Sequence, residues 1–145
     1  MLMGEYNHSL DAKGRLTFPS KFREELGDTF VVTRGFEGCL TVYPAERWER
    51  IKNNLLQMSL TNPAGRKLTR LILGNACECE ADKMGRILLP APLRDVSGIT
   101  RDVVLTGLGD RVEIWDREAW DNVNGKDAFE SLSEDELRSM EGLEL

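Results

Sequence analysis

Two nine-residue stretches of this chain share one pattern of charged and turn-forming residues. Residues 11–19 read Asp-Ala-Lys-Gly-Arg-Leu-Thr-Phe-Pro, and residues 82–90 read Asp-Lys-Met-Gly-Arg-Ile-Leu-Leu-Pro. In each, an Asp at the first position and a Gly at the fourth predict a type I turn. Such a turn becomes a three-residue hairpin loop with a bulge when the glycine takes a positive φ. Four residues are predicted to shape these loops: Asp11, Gly14, Asp82 and Gly85.

The basic side chains of both loops suit an anionic partner. Arginine can read guanine through a bidentate hydrogen bond, lysine can hold phosphate oxygens, and a two-stranded ribbon fits the major groove. A basic loop presented twice therefore suits DNA, whose charges repeat along its length. The predicted DNA-contacting residues are Lys13, Arg15, Lys83 and Arg86, with Lys21, Arg23 and Arg94 as further candidates. Because Met84 stands where the first loop has its lysine, the second loop is expected to contribute less.

The same residues also have a purely structural interpretation. Asp11 and Arg15 could pair across their own turn, as could Asp82 and Arg86, and an exposed pair of this kind contributes little stability. Composition and spacing alone slightly favour this interpretation. The two interpretations are compatible, because an aspartate that holds a guanidinium group in place also preorganises it for a ligand.

The repetition extends well beyond the two turns. The turns superimpose at an offset of 71 residues; after one inserted residue, an offset of 72 places Val31-Val32 on Val103-Val104 and Trp48 on Trp120. A copy of about 50 residues is marginally stable alone. The sequence therefore predicts an α+β fold in which two pseudo-symmetric ββα-ββα repeats share a core. The predicted segments are 1–52 for the first repeat, 53–74 for connecting helices, 75–123 for the second repeat and 124–145 for an acidic tail.

Apolar spacing predicts the two helices that join the repeats. The first is expected to begin after Pro44 and to run to about residue 58, with an apolar stripe of Trp48, Ile51, Leu55 and Met58. The second is expected over residues 64–73, with Leu68, Leu71 and Ile72 on its apolar side and Arg66, Lys67 and Arg70 on its polar side.

The net charge of −6 is concentrated near one end of the chain. Residues 116–145 hold ten acidic and three basic side chains, whereas residues 1–115 hold 16 basic and 15 acidic ones. The body can therefore carry basic patches despite the acidic total. Since no apolar run approaches the roughly 20 residues of a membrane helix, and no signal peptide is recognised, we expect a cytoplasmic protein without a membrane partner.

Residues with catalytic or metal-binding chemistry are few and poorly arranged. Cys77 and Cys79 share one face of a predicted strand, as do Glu78 and Glu80, but a structural zinc site needs four ligands and His8 is the single histidine. We therefore interpret the cysteines as small buried residues and the glutamates as a solvated strand face. The sequence predicts no enzyme, no catalytic residues, no metal and no cofactor.

Several motifs together resemble one bacterial family. They are Met3-Gly4-Glu5-Tyr6, the paired Asp-x-x-x-Arg elements, Asn62-Pro63 followed by Arg66, Leu68 and residues 70–74, and Glu78 before Asp82. Over residues 3–123 they resemble the MraZ proteins. The resemblance implies the AbrB/SpoVT-like swapped-hairpin fold in a double, intramolecular form. The acidic tail after about residue 124 is poorly covered by it.

The same resemblance carries functional expectations. MraZ proteins are known as regulators of the division and cell-wall gene cluster, and they bind short G-rich direct repeats at its promoter. They form ring-shaped oligomers, octamers among them, and associate with the nucleoid. Carried over, the DNA-contacting positions are Lys13, Arg15, Lys83 and Arg86. The alternative is an antitoxin-like protein-interaction module on the same fold, which would engage a protein partner through the acidic C-terminal region.

Overall fold

The computed structural model describes residues 1–144 of the chain. Its elements follow the predicted order of two ββα-ββα units with an additional helix between them. In these residues, no helix combines the length and the apolar composition that a membrane crossing requires. The strands and helices are β1 (Leu2–Ser9), β2 (Arg15–Thr17), α1 (Ser20–Leu26), β3 (Thr29–Arg34), β4 (Leu40–Pro44), α2 (Ala45–Thr61), α3 (Pro63–Leu73), β5 (Cys77–Glu80), β6 (Arg86–Leu88), α4 (Ala91–Ser97), β7 (Asp102–Gly109), β8 (Val112–Asp116), α5 (Arg117–Asn124) and α6 (Glu134–Arg138).

The two repeats exchange their first strands. One antiparallel sheet has the order β1-β7-β8-β4-β3-β5, so β1 of the first repeat pairs with β7 of the second, and β5 of the second pairs with β3 of the first. The short strands β2 and β6 pair with each other in a separate two-stranded ribbon. Neither repeat completes a sheet from its own strands. The predicted α+β fold, built from duplicated repeats that share a core, is confirmed.

A pseudo-twofold axis relates the two repeats. In the ribbon, Leu16 lies opposite Ile87, its own equivalent in the other copy. At the centre of the large sheet, Thr41 of β4 lies opposite Glu113 of β8, again its own equivalent. The axis therefore passes through both residue pairs and relates the two copies of every repeated feature.

The predicted alignment of the third strands is wrong by one residue. An offset of 72 sets Val31-Val32 on Val103-Val104, but in the sheet Phe30 and Val103 hold equivalent places. Each pairs with the last residue of its neighbour, β4 or β8, which gives an offset of 73 for β3 and β7. Two residues are thus inserted before β7 and one is lost in the turn that follows. Loops tolerate such changes, so runs of β-branched residues alone could not place them.

The core draws on both repeats at once. Phe18 and Phe30 are fully buried, and their ring centroids lie 5.2 Å apart. Leu16 and Ile87 are buried at the centre of the ribbon, whereas the residues on either side of them are more exposed. The largest fully buried side chains include Leu16, Phe18, Phe22 and Phe30 from the first repeat and Ile87, Leu89, Leu93 and Leu105 from the second.

Helices α2 and α3 form an antiparallel hairpin that lies partly outside the core. Trp48 and Leu55 of the predicted apolar stripe are buried, but Met58 is 58% exposed, so the stripe prediction fails at its far end. The last turns of α2 contact α3, which begins at the Asn62 cap, and the hydroxyl of Thr69 donates to the carbonyl of Leu55. Most residues of the two helices are therefore exposed, and within them Trp48 and Leu55 are the buried ones.

Candidate nucleic-acid interface

The first predicted loop is held together by one aspartate. The Asp11 Oδ1 atom accepts the backbone N–H groups of Lys13 and Arg15, both at 2.9 Å, and its Oδ2 atom accepts the Arg15 Nε–H at 2.6 Å. The backbone N–H of Gly14 donates to the Asp11 carbonyl, and Gly14 has a φ of 81°. This positive φ favours glycine, as the three-residue hairpin loop requires.

The second loop repeats this geometry with different neighbours. The Asp82 Oδ1 atom accepts the N–H groups of Met84 and Arg86, and its Oδ2 atom accepts the Arg86 Nε–H, all at 2.9 Å. Gly85 has a φ of 77°. The contacts of Asp82 and Gly85 therefore match those of Asp11 and Gly14, and in both loops the aspartate is paired with its own arginine.

The aspartates leave part of each guanidinium group available. Within residues 1–144, the Nε atoms of Arg15 and Arg86 form the ion pairs, and their terminal nitrogen atoms have no hydrogen bond or ion pair. The Arg15 and Arg86 side chains keep 33% and 24% of their surface exposed. The pairing thus fixes the direction of the guanidinium group. It leaves the N–H groups of the two terminal nitrogen atoms free to donate to a base edge or a phosphate.

The same hydrogen bonds favour the ionised form of both aspartates and so lower their pKa. The backbone N–H of Arg15 is the largest influence, and with the Arg15 side chain and the Lys13 N–H it lowers the pKa of Asp11 below 3.8, against a smaller opposing effect of desolvation. The pKa of Asp82 is lowered in the same way by Arg86 and Met84. Because the folded-state pKa is lowered, the ionised loop is favoured above the ordinary pKa. This contribution is lost only as the pH falls through 3.8 towards the lower folded-state value.

The two loops stand at opposite ends of the β2–β6 ribbon. The Phe18 N–H donates to the Gly85 carbonyl and the Leu89 N–H donates to the Gly14 carbonyl, both at 2.9 Å. The two glycines are therefore four ribbon residues apart, about 13 Å at the usual rise of a strand. This separation is close to the width of about 12 Å of the DNA major groove.

The outer face of the ribbon carries residues that sequence reasoning missed. Arg15 lies opposite Leu88, and Thr17 lies opposite Arg86, all four on the side away from the buried Leu16 and Ile87. Strand alternation could have shown this, because residues two apart share a face. Leu88 is 60% exposed and Met84 is 69% exposed, whereas their equivalents in the first repeat are Thr17 and Lys13. Along this face β2 is therefore polar and β6 is partly apolar, and the pairing sets Leu88 beside Arg15 and Thr17 beside Arg86.

The further candidates fall into two groups. Lys21 is exposed on α1, whereas Arg23 and Arg94 are half-buried and cross to the loop of the other repeat. A Cβ atom added to Gly14 would lie 3.2 Å from the Arg94 guanidinium carbon, and the Arg23 Nε donates to the Phe18 carbonyl at 3.1 Å. Both arginines pack against loop backbone, which assigns them a supporting contact. That they also touch DNA stays a prediction.

This packing predicts the effect of Gly85→Ala. The alanine Cβ atom would lie 2.7 Å from the Arg23 guanidinium carbon, and the alanine backbone would have to keep the φ of 77° that Gly85 has. The positive φ alone is expected to cost about 1–2 kcal/mol, and displacement of Arg23 adds to it. Gly98→Ala is the matched control, because Gly98 is left-handed, with φ 67°, but has open space around its Cα. In urea unfolding, Gly85→Ala should lose more stability than Gly98→Ala; equal losses would show that the arginine contact is unimportant.

The residues with catalytic chemistry do not meet. His8 lies on β1 and Cys77 and Cys79 lie on β5, at opposite edges of the six-stranded sheet. Five strand spacings of about 4.8 Å separate these edges, roughly 24 Å in all. Burial raises the pKa of the Cys39 and Cys79 thiols to about 12, so both are protonated at neutral pH and poor nucleophiles. Within residues 1–144, His8 therefore forms no pair with Cys77 or Cys79.

The exchanged strands and the two arginine loops define a duplicated, swapped-hairpin α+β protein. The family described as "MraZ protein, putative antitoxin-like" matches the chain twice, over residues 1–71 and 72–141. The chain belongs to the MraZ family.

Relatives match nearly the whole chain. The "Transcriptional regulator MraZ" of Thermoanaerobacter pseudethanolicus is 50% identical over 141 residues, which cover 94% of this chain and 99% of that protein. The protein of the same name from Natranaerobius thermophilus is 47% identical over 137 residues, covering 93% and 96%. A solved structure, the solution structure of PHS018 from Pyrococcus horikoshii, aligns at 13% identity and a TM-score of 0.31 over 79% of this chain and 88% of that one. A likeness this weak supports no conclusion.

Proposed function

We propose that the protein is a sequence-specific DNA-binding transcriptional regulator. One observation carries the proposal: two arginines, each oriented by its own aspartate, stand on one ribbon with their terminal nitrogen atoms unpaired within the described chain. Relatives of 47% and 50% identity over more than nine-tenths of the chain are named transcriptional regulators. No relative named in these comparisons is an enzyme.

The proposed binding mode follows from the ribbon. The β2–β6 pair enters the major groove, where the terminal nitrogen atoms of Arg15 and Arg86 donate to the O6 and N7 atoms of guanine. Lys13 and Lys83, exposed on the loops, neutralise flanking phosphates. The loss of side-chain freedom on binding opposes association. Because the aspartates already hold the arginines in place, this loss is small here.

The finer part of the proposal concerns the target and the assembly. The target is G-rich direct repeats upstream of the division and cell-wall gene cluster, read by a ring-shaped homo-oligomer, an octamer, associated with the nucleoid in the cytoplasm. A single ribbon makes few contacts. Several ribbons on one ring would raise the effective concentration of each after the first has bound, and evenly spaced DNA repeats would match such an array.

The direct test is binding of the purified protein to the DNA upstream of its own gene. We expect binding to the native fragment to be at least tenfold tighter than binding to a fragment with the guanines of the repeats replaced by adenine. Affinity should also fall steeply with salt, because each phosphate contact releases counterions. Equal affinity for the two fragments would refute sequence-specific recognition. Salt dependence would then show only non-specific binding to phosphates.

A further inference from the structure

The α2–α3 hairpin presents a basic surface with a small apolar hollow. After the first turns of α2, which carry Glu46 and Glu49, residues 50–74 contain five basic side chains and no acidic one; one of the five, Lys52, is paired with Glu49. A hollow of about 100 Å³ lies between α3 and the preceding 3-10 turn, Phe36–Gly38. It is lined by Leu68, Leu71 and Ile72 of α3 together with Arg34, Gly35 and Phe36. Phe36 is 71% exposed and Leu71 is 38% exposed, so this apolar site is open to solvent.

The C-terminal segment has the complementary composition. Residues 125–144 contain seven acidic and two basic side chains. One of those two bases, Arg138, is already paired with Glu134 and Asp135. The segment also carries apolar side chains that pack on little: Phe129 is 80% exposed and Leu137 is 47% exposed. A five-residue helix such as α6 is not stable alone and needs a surface to pack on.

We propose that the acidic C-terminal segment, residues 125–144, of one copy docks on the basic α2–α3 hairpin, residues 50–74, of a second copy. Its apolar side chains supply an occupant for the α3 hollow, and its carboxylates face Lys67 and Arg70 beside that hollow. The occupant comes from another copy because, within one chain, the apolar side chains of the segment remain exposed. The inference rests on the self-association in the proposed function and identifies the surface that produces it.

The geometry of such a contact determines the kind of assembly. The donor segment and the acceptor hairpin are different surfaces, so each copy donates to one neighbour and accepts from another. Contacts of this head-to-tail type close into rings or extend into filaments. The surface also leaves the β2–β6 ribbon free, because the ribbon belongs to neither partner of the contact.

A charge exchange in the full-length protein tests the inference. Lys67→Glu with Arg70→Glu, and separately Glu134→Lys with Asp135→Lys, should each raise the concentration at which the assembly dissociates at least tenfold in analytical ultracentrifugation. The protein with all four substitutions should recover assembly, because opposite charges face each other again. Arg101→Glu with Arg117→Glu changes the net charge by as much as the hairpin variant does, at exposed positions elsewhere, and should leave sedimentation unchanged.

Other outcomes overturn the inference. The proposed contact is refuted if the wild-type protein sediments as a monomer. It is also refuted if neither double variant changes sedimentation. Failure of the four-substitution variant to recover assembly removes the direct pairing. Deletion of residues 125–145 with unchanged sedimentation indicates docking within one chain or on another protein. If the hairpin variant binds the promoter more weakly but its sedimentation is unchanged, the hairpin contacts DNA and not a second copy. The proposed function itself fails by a different measurement, the response of promoter binding to Arg15 and Arg86.

Discussion

Replacing Arg15 and Arg86 together with alanine is expected to weaken binding to the upstream promoter by about 2–6 kcal/mol per engaged ribbon, since one base-reading arginine contributes about 1–3 kcal/mol. At tenfold per 1.4 kcal/mol this corresponds to a loss of roughly 30-fold or more. The fold should survive, because both side chains lie on the outer face of the ribbon and their aspartates keep the backbone N–H contacts. The measurement is binding anisotropy with labelled promoter DNA, at one fixed salt concentration.

Two controls separate recognition by these arginines from a general effect of positive charge. Arg101→Ala with Arg117→Ala removes the same charge from exposed positions elsewhere, and it should change affinity much less. Arg15→Lys with Arg86→Lys keeps the charge but loses the fork geometry, so it should reduce the preference for guanine while retaining part of the non-specific binding. Unchanged affinity in the alanine double variant would exclude these arginines as readers of DNA.

The two single variants are expected to differ. Arg15→Ala should weaken binding more than Arg86→Ala, because Lys13 on the loop before Arg15 can contact DNA, whereas Met84 holds the equivalent place before Arg86. A larger loss from Arg86→Ala would show instead that the partly apolar strand β6 dominates recognition, for example through contacts of Met84 and Leu88 with thymine methyl groups.

The second large effect is expected at Leu89, which is fully buried and whose backbone N–H donates to Gly14 of the first loop. Leu89→Ala leaves a cavity in the core shared by the two repeats, and such a substitution destabilises a protein by about 2–5 kcal/mol. Because both repeats line that core, we expect a single cooperative unfolding transition shifted to lower urea, and no separate unfolding of one repeat.

The adjacent residue supplies the control. Leu88→Ala makes the same substitution one position earlier, on the exposed face of the ribbon, and it should change the free energy of unfolding by only about 0.5 kcal/mol. Chemical denaturation monitored by tryptophan fluorescence compares the two variants. Similar losses from Leu88→Ala and Leu89→Ala would contradict the burial pattern on which the ribbon description depends.

The candidate site was largely predictable because its interactions are local. The hydrogen bonds of each loop aspartate join residues no more than four positions apart, for example Asp11 to Arg15. A pattern of Asp, Gly and Arg at fixed spacing therefore carries its own geometry. The residues missed on the ribbon, Thr17 and Leu88, were also within reach of the sequence, since strand alternation places them on the face of the arginines.

The sequence by itself determined the duplicated unit, the two loops, the arginines at their ends and the asymmetry introduced by Met84. The tertiary structure decided which strands pair, how Arg23 and Arg94 cross to the opposite loops, and where the insertions fall. The reason is that the two repeats present nearly equivalent strand edges. A strand such as β1 could pair in its own repeat or in the other, and its residues do not distinguish the two; the family resemblance implied the exchange, and the long-range pairing shows it.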